Sequence, residues 1–345
     1  MIALQVRDHG SDSLDQAQRR ADEARYQEVT CRSALNPVKG MPFKWTLNPY
    51  RGCTHGCHYC FARRYQTQFE LGPGDEFSSL IFVKVNFAEV LRRELDKPSW
   101  TREQVALGTA TDPYQPIEGH YRLTRQVLEA LIAARTPVGI VTKGPMVVRD
   151  ADLLARLSTV AGCTVCMSVP TVDEEAWRAL EPGTAHPLQR LRAVRTLRDA
   201  GVRAGVLMMP VVPGFTTQTS RLDRTIKAIA DHNAAFIGAN VMYLKGGTKD
   251  HFMGFLAHQF PQMLDSYRRL YPGAYAAPAY VTEVRGLIEM FKKRHGMEGR
   301  NRDFEDAEPD EAGSPGDATQ VAFAWDPVTP SRPAPDSRRA PRRRG

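Results

Sequence analysis

The sequence predicts an α/β fold in which a mainly parallel sheet is covered by helices. Three observations predict it. Short β-branched runs recur through the middle of the chain, and amphipathic stretches of helical length separate most of them. The runs are apolar throughout rather than alternating, as strands buried on both faces are. At 345 residues, with 42% hydrophobic and 25% charged side chains, the chain has the size and balance of a globular enzyme with a substantial core.

The strand candidates are 80–85, 105–110, 138–142, 163–169, 202–209 and 236–242, with a short extended stretch earlier at 44–50. Between them, 87–95, 121–135, 151–160, 188–200 and 220–231 read as helices. Gly201 follows a helix and Pro213-Gly214 a strand, where elements should end. Right-handed crossovers would wind such units into a doubly wound sheet or a barrel. Ligands of parallel α/β folds collect at the carboxyl ends of the strands. Polar groups gather there: Thr109 to Asp112, Thr142-Lys143, Ser168 to Thr171, Pro210, and Tyr243 to Lys245.

Residues 1–30 form a polar N-terminal extension with one helical pattern, at 14–26. The core spans 31–300. Residues 301–345 are acidic and then rich in Pro and Arg, a composition that predicts a disordered tail. From Glu305 onward the tail holds eight acidic residues and six arginines, whereas the body carries 40 basic and 31 acidic groups, a net charge of +9. That charge suits a polyanionic partner such as nucleic acid, and the terminal arginine run could touch one too. An Arg-rich composition gives the same balance without such a partner. No apolar run of about 18 residues is present to span a membrane, and the start lacks a signal-peptide pattern, so the expected address is the cytoplasm.

Of the six cysteines, three lie at 53, 57 and 60, a C-x3-C-x2-C spacing within NPYRGCTHGCHYCFARRYQ. Pro49, Gly52 and Gly56 make this a turn-rich loop that can curl three thiolates toward one centre. Soft thiolates favour zinc or iron–sulfur centres. Zinc wants four protein ligands, and His55 or His58 could supply the fourth, giving a structural zinc module. Three cysteines on a 4Fe–4S cube leave one iron open to a small molecule.

This spacing, with Tyr59 just before the third cysteine, resembles the signature of radical SAM enzymes. NPYRGCTHGCHYCFAR, GTATDPYQPIE, the VTKG strand end and SVPT with the later LEPGT resemble the spore photoproduct lyase-like branch, over roughly residues 30–295. The resemblance implies a partial (β/α)6 barrel with the cluster loop after its first strand. It implies a 4Fe–4S cluster on Cys53, Cys57 and Cys60, S-adenosyl-L-methionine as cofactor, and a flavodoxin- or ferredoxin-type electron donor. Carried over residue by residue, Tyr59 and Phe61 would sit by the adenine, Thr111 and Asp112 near the methionyl amino group, Lys143 near its carboxylate and Ser168 near the ribose. Charge agrees, since lysine pairs with carboxylate and aspartate favours ammonium.

The pattern departs at one place. Spore photoproduct lyases carry a hydrogen-donating cysteine just ahead of the Thr/Ser-Asp pair, where this chain has Thr109. A threonine O–H bond is too strong to donate hydrogen readily, so the fold can be shared while the reaction differs. Cys166, Tyr114 and Tyr243, at or just past strand ends, are other candidates for a radical relay. Cys163 and Cys166, three apart on a strand, should point to opposite faces, and buried cysteines of this kind pack as small hydrophobes. Cys31 has no partner nearby in sequence.

Overall fold

The computed structural model describes residues 12–69 and 76–299. The chain begins with α1 (Asp12–Glu23) and β1 (Arg25–Val29), then β2 (Asn36–Pro37), β3 (Trp45–Leu47) and β4 (Tyr50–Arg51). A 3-10 segment (Phe61–Phe69) and α2 (Glu76–Ser79) lead to β5 (Leu80–Lys84), α3 (Phe87–Leu95) and β6 (Val105–Leu107). Next come α4 (Glu118–Tyr121), α5 (Leu123–Ala133), β7 (Val138–Thr142), α6 (Ala151–Val160) and β8 (Cys163–Ser168). The described chain closes with α7 (Glu174–Leu180), α8 (Pro187–Asp199), β9 (Arg203–Val211), α9 (Thr219–Asp231), β10 (Ile237–Val241), α10 (Gly247–Gln259), α11 (Pro261–Leu270) and α12 (Pro278–Arg294).

The main sheet runs β10-β9-β8-β7-β6-β3-β2. Its six strands from β3 to β10 are parallel and lie in chain order, and β2 adds an antiparallel edge. Helices fill the crossovers, which is the α/β arrangement the apolar runs predict. The sheet does not close on itself, so it is a partial barrel. A second, three-stranded sheet has the order β1-β5-β4.

The run at 80–85 belongs to this small sheet and not to the barrel. Its place in the main sheet is taken by β3, inside the 44–50 stretch. An apolar run tells that a strand is buried but not which neighbours it finds, and here Ile81 and Val83 are covered between β1 and the antiparallel β4. The polar reading of 1–30 likewise gives no hint of β1, whose residues are mostly exposed and which is held by its parallel register with β5. The disordered-tail expectation for 301–345 lies outside the described residues.

Alternation along the barrel strands sorts the side chains into two sets. Leu47, Leu107, Ile140, Val165 and Val206 point outward and join the core beneath the helices. Asn48, Lys143, Cys166, Ser168, Leu207 and Asn240 point inward. Burial is complete on the outer face, whereas on the inner face Asn48, Cys166 and Ser168 are buried while Lys143, Leu207 and Asn240 keep some exposure. The inner face is closed at the amino end by Phe236, whose ring rests where a side chain on Gly205 would stand, with the Arg203 guanidinium 5.4 Å above it.

Candidate functional site

The strand order brings the carboxyl ends of β3, β6, β7 and β8 side by side, and the loop that follows β3 and the short β4 carries the three cysteines. Residues 52–60 are fixed at both ends. Cys53 N–H donates to Phe77 O at 3.0 Å, and Thr54 N–H to Gln115 Oε1 at 3.2 Å. Buried Arg63 donates to the carbonyls of Cys57 (3.0 Å) and Gly56 (2.8 Å). Gly52 has φ +79°, and a Cβ there would stand 2.7 Å from Leu80 O, so only glycine fits the turn into the loop.

Cys53 and Cys57 are buried and Cys60 is partly exposed. Burial pushes the Cys57 thiol up to about 12 against the pull of the Lys143 ammonium, and drives Cys53 up as well, with Asp112 and the two other cysteines adding to it. Three thiolates crowded in a buried loop are unfavourable unless a cationic centre offsets them, which is the demand a metal cluster answers. The Thr54 hydroxyl, between the first two cysteines, is buried and has no hydrogen-bond partner among the described residues. Among the described residues no three His, Cys, Asp or Glu side chains converge as the ligands of one ion do. A cube makes a different demand, since each of its three thiolates takes a separate iron. Both histidines offered for zinc are engaged elsewhere. His55 Nδ1 lies 3.3 Å from Asp112 Oδ2, while His58 Nδ1 lies 3.2 Å from His251 Nε2 and its ring stacks on Phe255. The donor set therefore fits an iron–sulfur cube better than zinc.

Three of the residues singled out beside the cysteines come together. The Lys143 ammonium donates to Ser168 Oγ at 2.8 Å and lies 5.5 Å from the centre of the Tyr59 ring. Burial opposes its charge, but Cys57 and Glu181 outweigh burial and keep it protonated. Thr111 and Asp112 form a second group. Thr111 donates to Gly52 O at 2.6 Å, at the root of the cysteine loop. Asp112 accepts from Thr142 Oγ1 (2.6 Å), the Lys143 N–H (2.7 Å) and the Tyr114 N–H (2.8 Å), and faces His55. It locks the turn before Pro113 to the end of β7.

These partners have a consequence for pH. Burial would raise the Asp112 carboxyl, but His55, the Lys143 N–H and the Thr142 hydroxyl overcome it and hold it at about 2. A depressed carboxyl stabilises the fold above its unfolded pKa, near 3.8, and that contribution is lost as pH falls toward 2. Metal-free protein should therefore lose about 2 kcal/mol through this group between pH 4 and 2. Urea titrations of wild type and Asp112→Asn would check it: the difference between them should shrink across that interval, and a pH-independent difference would refute the assignment.

Against known families, residues 47–226 match the model of the Radical SAM superfamily. The chain belongs to that superfamily. It is also 39% identical over 285 residues to an uncharacterized protein of Mycobacterium tuberculosis strain H37Rv, covering 81% of this chain and 84% of the relative. An uncharacterized protein of Methanocaldococcus jannaschii is 26% identical over 186 residues, 54% of this chain and 67% of that one. The radical SAM Nα-GlyT isomerase of Pseudomonas phage M6 is 31% identical over 170 residues, 49% of this chain and 33% of the isomerase. Among solved structures, a spore photoproduct lyase mutant superposes with a TM-score of 0.62 at 16% identity, covering 81% of this chain and 82% of its own. A second lyase mutant, with bound AdoMet and dinucleoside spore photoproduct, gives 0.62 at 14% identity with the same coverage. At that identity the likeness establishes the fold, and it agrees with the partial barrel described above.

As a radical SAM protein the chain is an enzyme, and its remaining candidates can be placed on that barrel. Thr109, just past β6, accepts from Asn48 Nδ2 at 3.4 Å. Cys163 packs in the outer core, whereas Cys166 shares the inner face with Ser168, as their spacing predicts. Tyr114 is fully buried, and Tyr243 lies against exposed Tyr275 with ring centres 4.8 Å apart. Phe61 is exposed and meets Tyr65 edge-on. Cys31 is half-buried, its N–H bonded to Asn86 Oδ1. No helix among the described residues is long and apolar enough to cross a membrane.

Two residues of the site were not singled out from sequence. Glu181 receives the Tyr59 hydroxyl, stands 3.8 Å from Lys143 Nζ, and pairs with fully buried Arg190 at 2.5 Å. Only the LEPGT block pointed toward this region, and nothing in it marked the glutamate.

Proposed function

We propose that this radical SAM enzyme holds a 4Fe–4S cluster on Cys53, Cys57 and Cys60 and cleaves S-adenosyl-L-methionine reductively. The observation that carries the reading is the buried three-cysteine loop facing the Lys143–Ser168 pair across the strand ends. When bound, the cluster and its cofactor supply a one-electron cleavage that yields a 5′-deoxyadenosyl radical. The chain's own residues bind, orient and exclude water. Lys143 takes the methionyl carboxylate as a charge-assisted partner, Ser168 a ribose hydroxyl, and the Tyr59 ring forms a wall for the adenine. Thr111 meets the methionyl amino group, with Asp112 behind it as a fixed negative charge.

The electron comes from a flavodoxin- or ferredoxin-type carrier, and the setting is the cytoplasm. A nucleic acid is the substrate class we favour. The net charge of residues 1–304 supports it, as does a fold shared with structures that hold a dinucleoside photoproduct. A base inside a duplex would have to be extruded to reach the inner face of the barrel. Repair by the spore photoproduct lyase route is not proposed, because Thr109 cannot replace that enzyme's hydrogen donor.

Anaerobic reconstitution with iron and sulfide tests the reading. About four irons per chain, a broad visible charge-transfer band and 5′-deoxyadenosine release under dithionite are expected. A His55→Gln/His58→Gln variant should keep its iron, since neither ring is a ligand. A colourless protein with one zinc, lost on that double substitution, would overturn the proposal. Failure to bind any DNA or RNA at low salt would remove the substrate class alone.

A further inference from the structure

The segment 180–184, about 120 residues beyond the cysteine loop in sequence, is built against that loop. The His58 N–H donates to Leu180 O at 3.1 Å, and the Gly183 N–H returns to His55 O at 3.0 Å. The approach is so close that a Cβ on Gly183 would stand 2.3 Å from Thr54 O. Between these two backbone bonds, Glu181 turns into the site. Its Oε1 accepts from the Tyr59 hydroxyl and lies 3.8 Å from Lys143 Nζ. Its Oε2 accepts from Arg190, whose other nitrogen donates to Ser168 O at 2.9 Å. One buried carboxylate thus joins the cysteine loop, the end of β7 and, through Arg190, the end of β8.

We infer that Glu181 is a positioning residue: it latches the cysteine loop to the lysine and serine that face the cofactor, and so fixes the distance between the cluster and the methionyl group. The inference rests on the cofactor reading above and adds to it a residue that touches neither cluster nor substrate. Two partners of the latch sit on Tyr59 and Lys143, so loosening it moves both sides of the site at once. A buried carboxylate with several charge-assisted partners is a rigid hub when fully satisfied, and Glu181 has donors on both oxygens.

The test uses full-length protein in two states. In metal-free Glu181→Gln, amide exchange should quicken at 55–60 and 180–184, while helices remote from the site keep wild-type protection. After reconstitution the variant should hold wild-type iron. The S-adenosylmethionine concentration needed to perturb the reduced cluster's EPR spectrum should rise about tenfold or more, the scale of losing one hydrogen bond to a charged group. Tyr59→Phe, which removes only the hydroxyl donor, should move the same titration in the same direction. Wild-type exchange and a wild-type titration in Glu181→Gln would overturn the latch. If that variant fails to fold, an unchanged titration in Tyr59→Phe overturns it. The wild-type EPR response to S-adenosylmethionine is the control for the cofactor reading, so the two can fail separately.

Discussion

Cys57→Ala is expected to abolish iron binding and S-adenosylmethionine cleavage together, leaving less than about one iron where wild type binds about four. Cys57 is the middle one of the three proposed ligands, buried, and framed by Arg63 on its carbonyl and Lys143 near its sulfur. Two remaining thiolates cannot hold a cube against hydrolysis, so the loss should be all-or-none. The metal-free fold should survive, because replacing the thiol by hydrogen removes little buried surface, at a cost of about 1 kcal/mol. Circular dichroism of the metal-free variant separates the two effects. A variant that still loads four irons and releases 5′-deoxyadenosine would show that the ligands had been assigned wrongly.

Arg190→Met should bring the largest loss of stability. Arg190 is fully buried and donates to Ala185 O (2.8 Å), Ser168 O (2.9 Å), Thr184 Oγ1 (2.8 Å) and Glu181. Removing it leaves the buried Glu181 carboxylate with Lys143, 3.8 Å away, as its nearest cation beside the Tyr59 hydroxyl, and breaking a buried pair of this kind costs about 3–5 kcal/mol. Urea unfolding of metal-free protein reads this directly. Adding Glu181→Gln to the same chain should restore part of the loss, because the uncompensated charge is then gone, and the double-mutant cycle gives the coupling. Strictly additive losses would mean that the two side chains do not act as a pair.

Local pattern accounts for much of what could be read in advance. The helices at 87–95 and 151–160 have the same bounds in sequence pattern and structure, because their apolar residues recur on one face and nothing long-range competes. The cysteine loop was legible because three thiols within eight residues are a chemical statement by themselves. Pairing was not legible. Nothing in Leu80–Lys84 tells that it joins Arg25–Val29 and leaves the barrel, since that choice lies in residues 55 positions away. Glu181 and Arg190 were hidden for the same reason: a glutamate after one helix and an arginine inside the next look like ordinary solvated charges until the fold brings Tyr59 and Lys143 against them.

The division of each barrel strand into an outward apolar set and an inward set of mixed character has a consequence for how such a chain can diverge. Changes at Val141, Leu207, Met209 or Asn240, which keep some exposure inside the barrel, leave the outer packing untouched, and partly exposed positions of that kind tolerate substitution with little loss of stability. Evolution can therefore retailor what the barrel receives while the cysteine loop and the residues packed against it stay intact. A lineage could acquire new chemistry there through one or two substitutions, without passing through an unfolded ancestor.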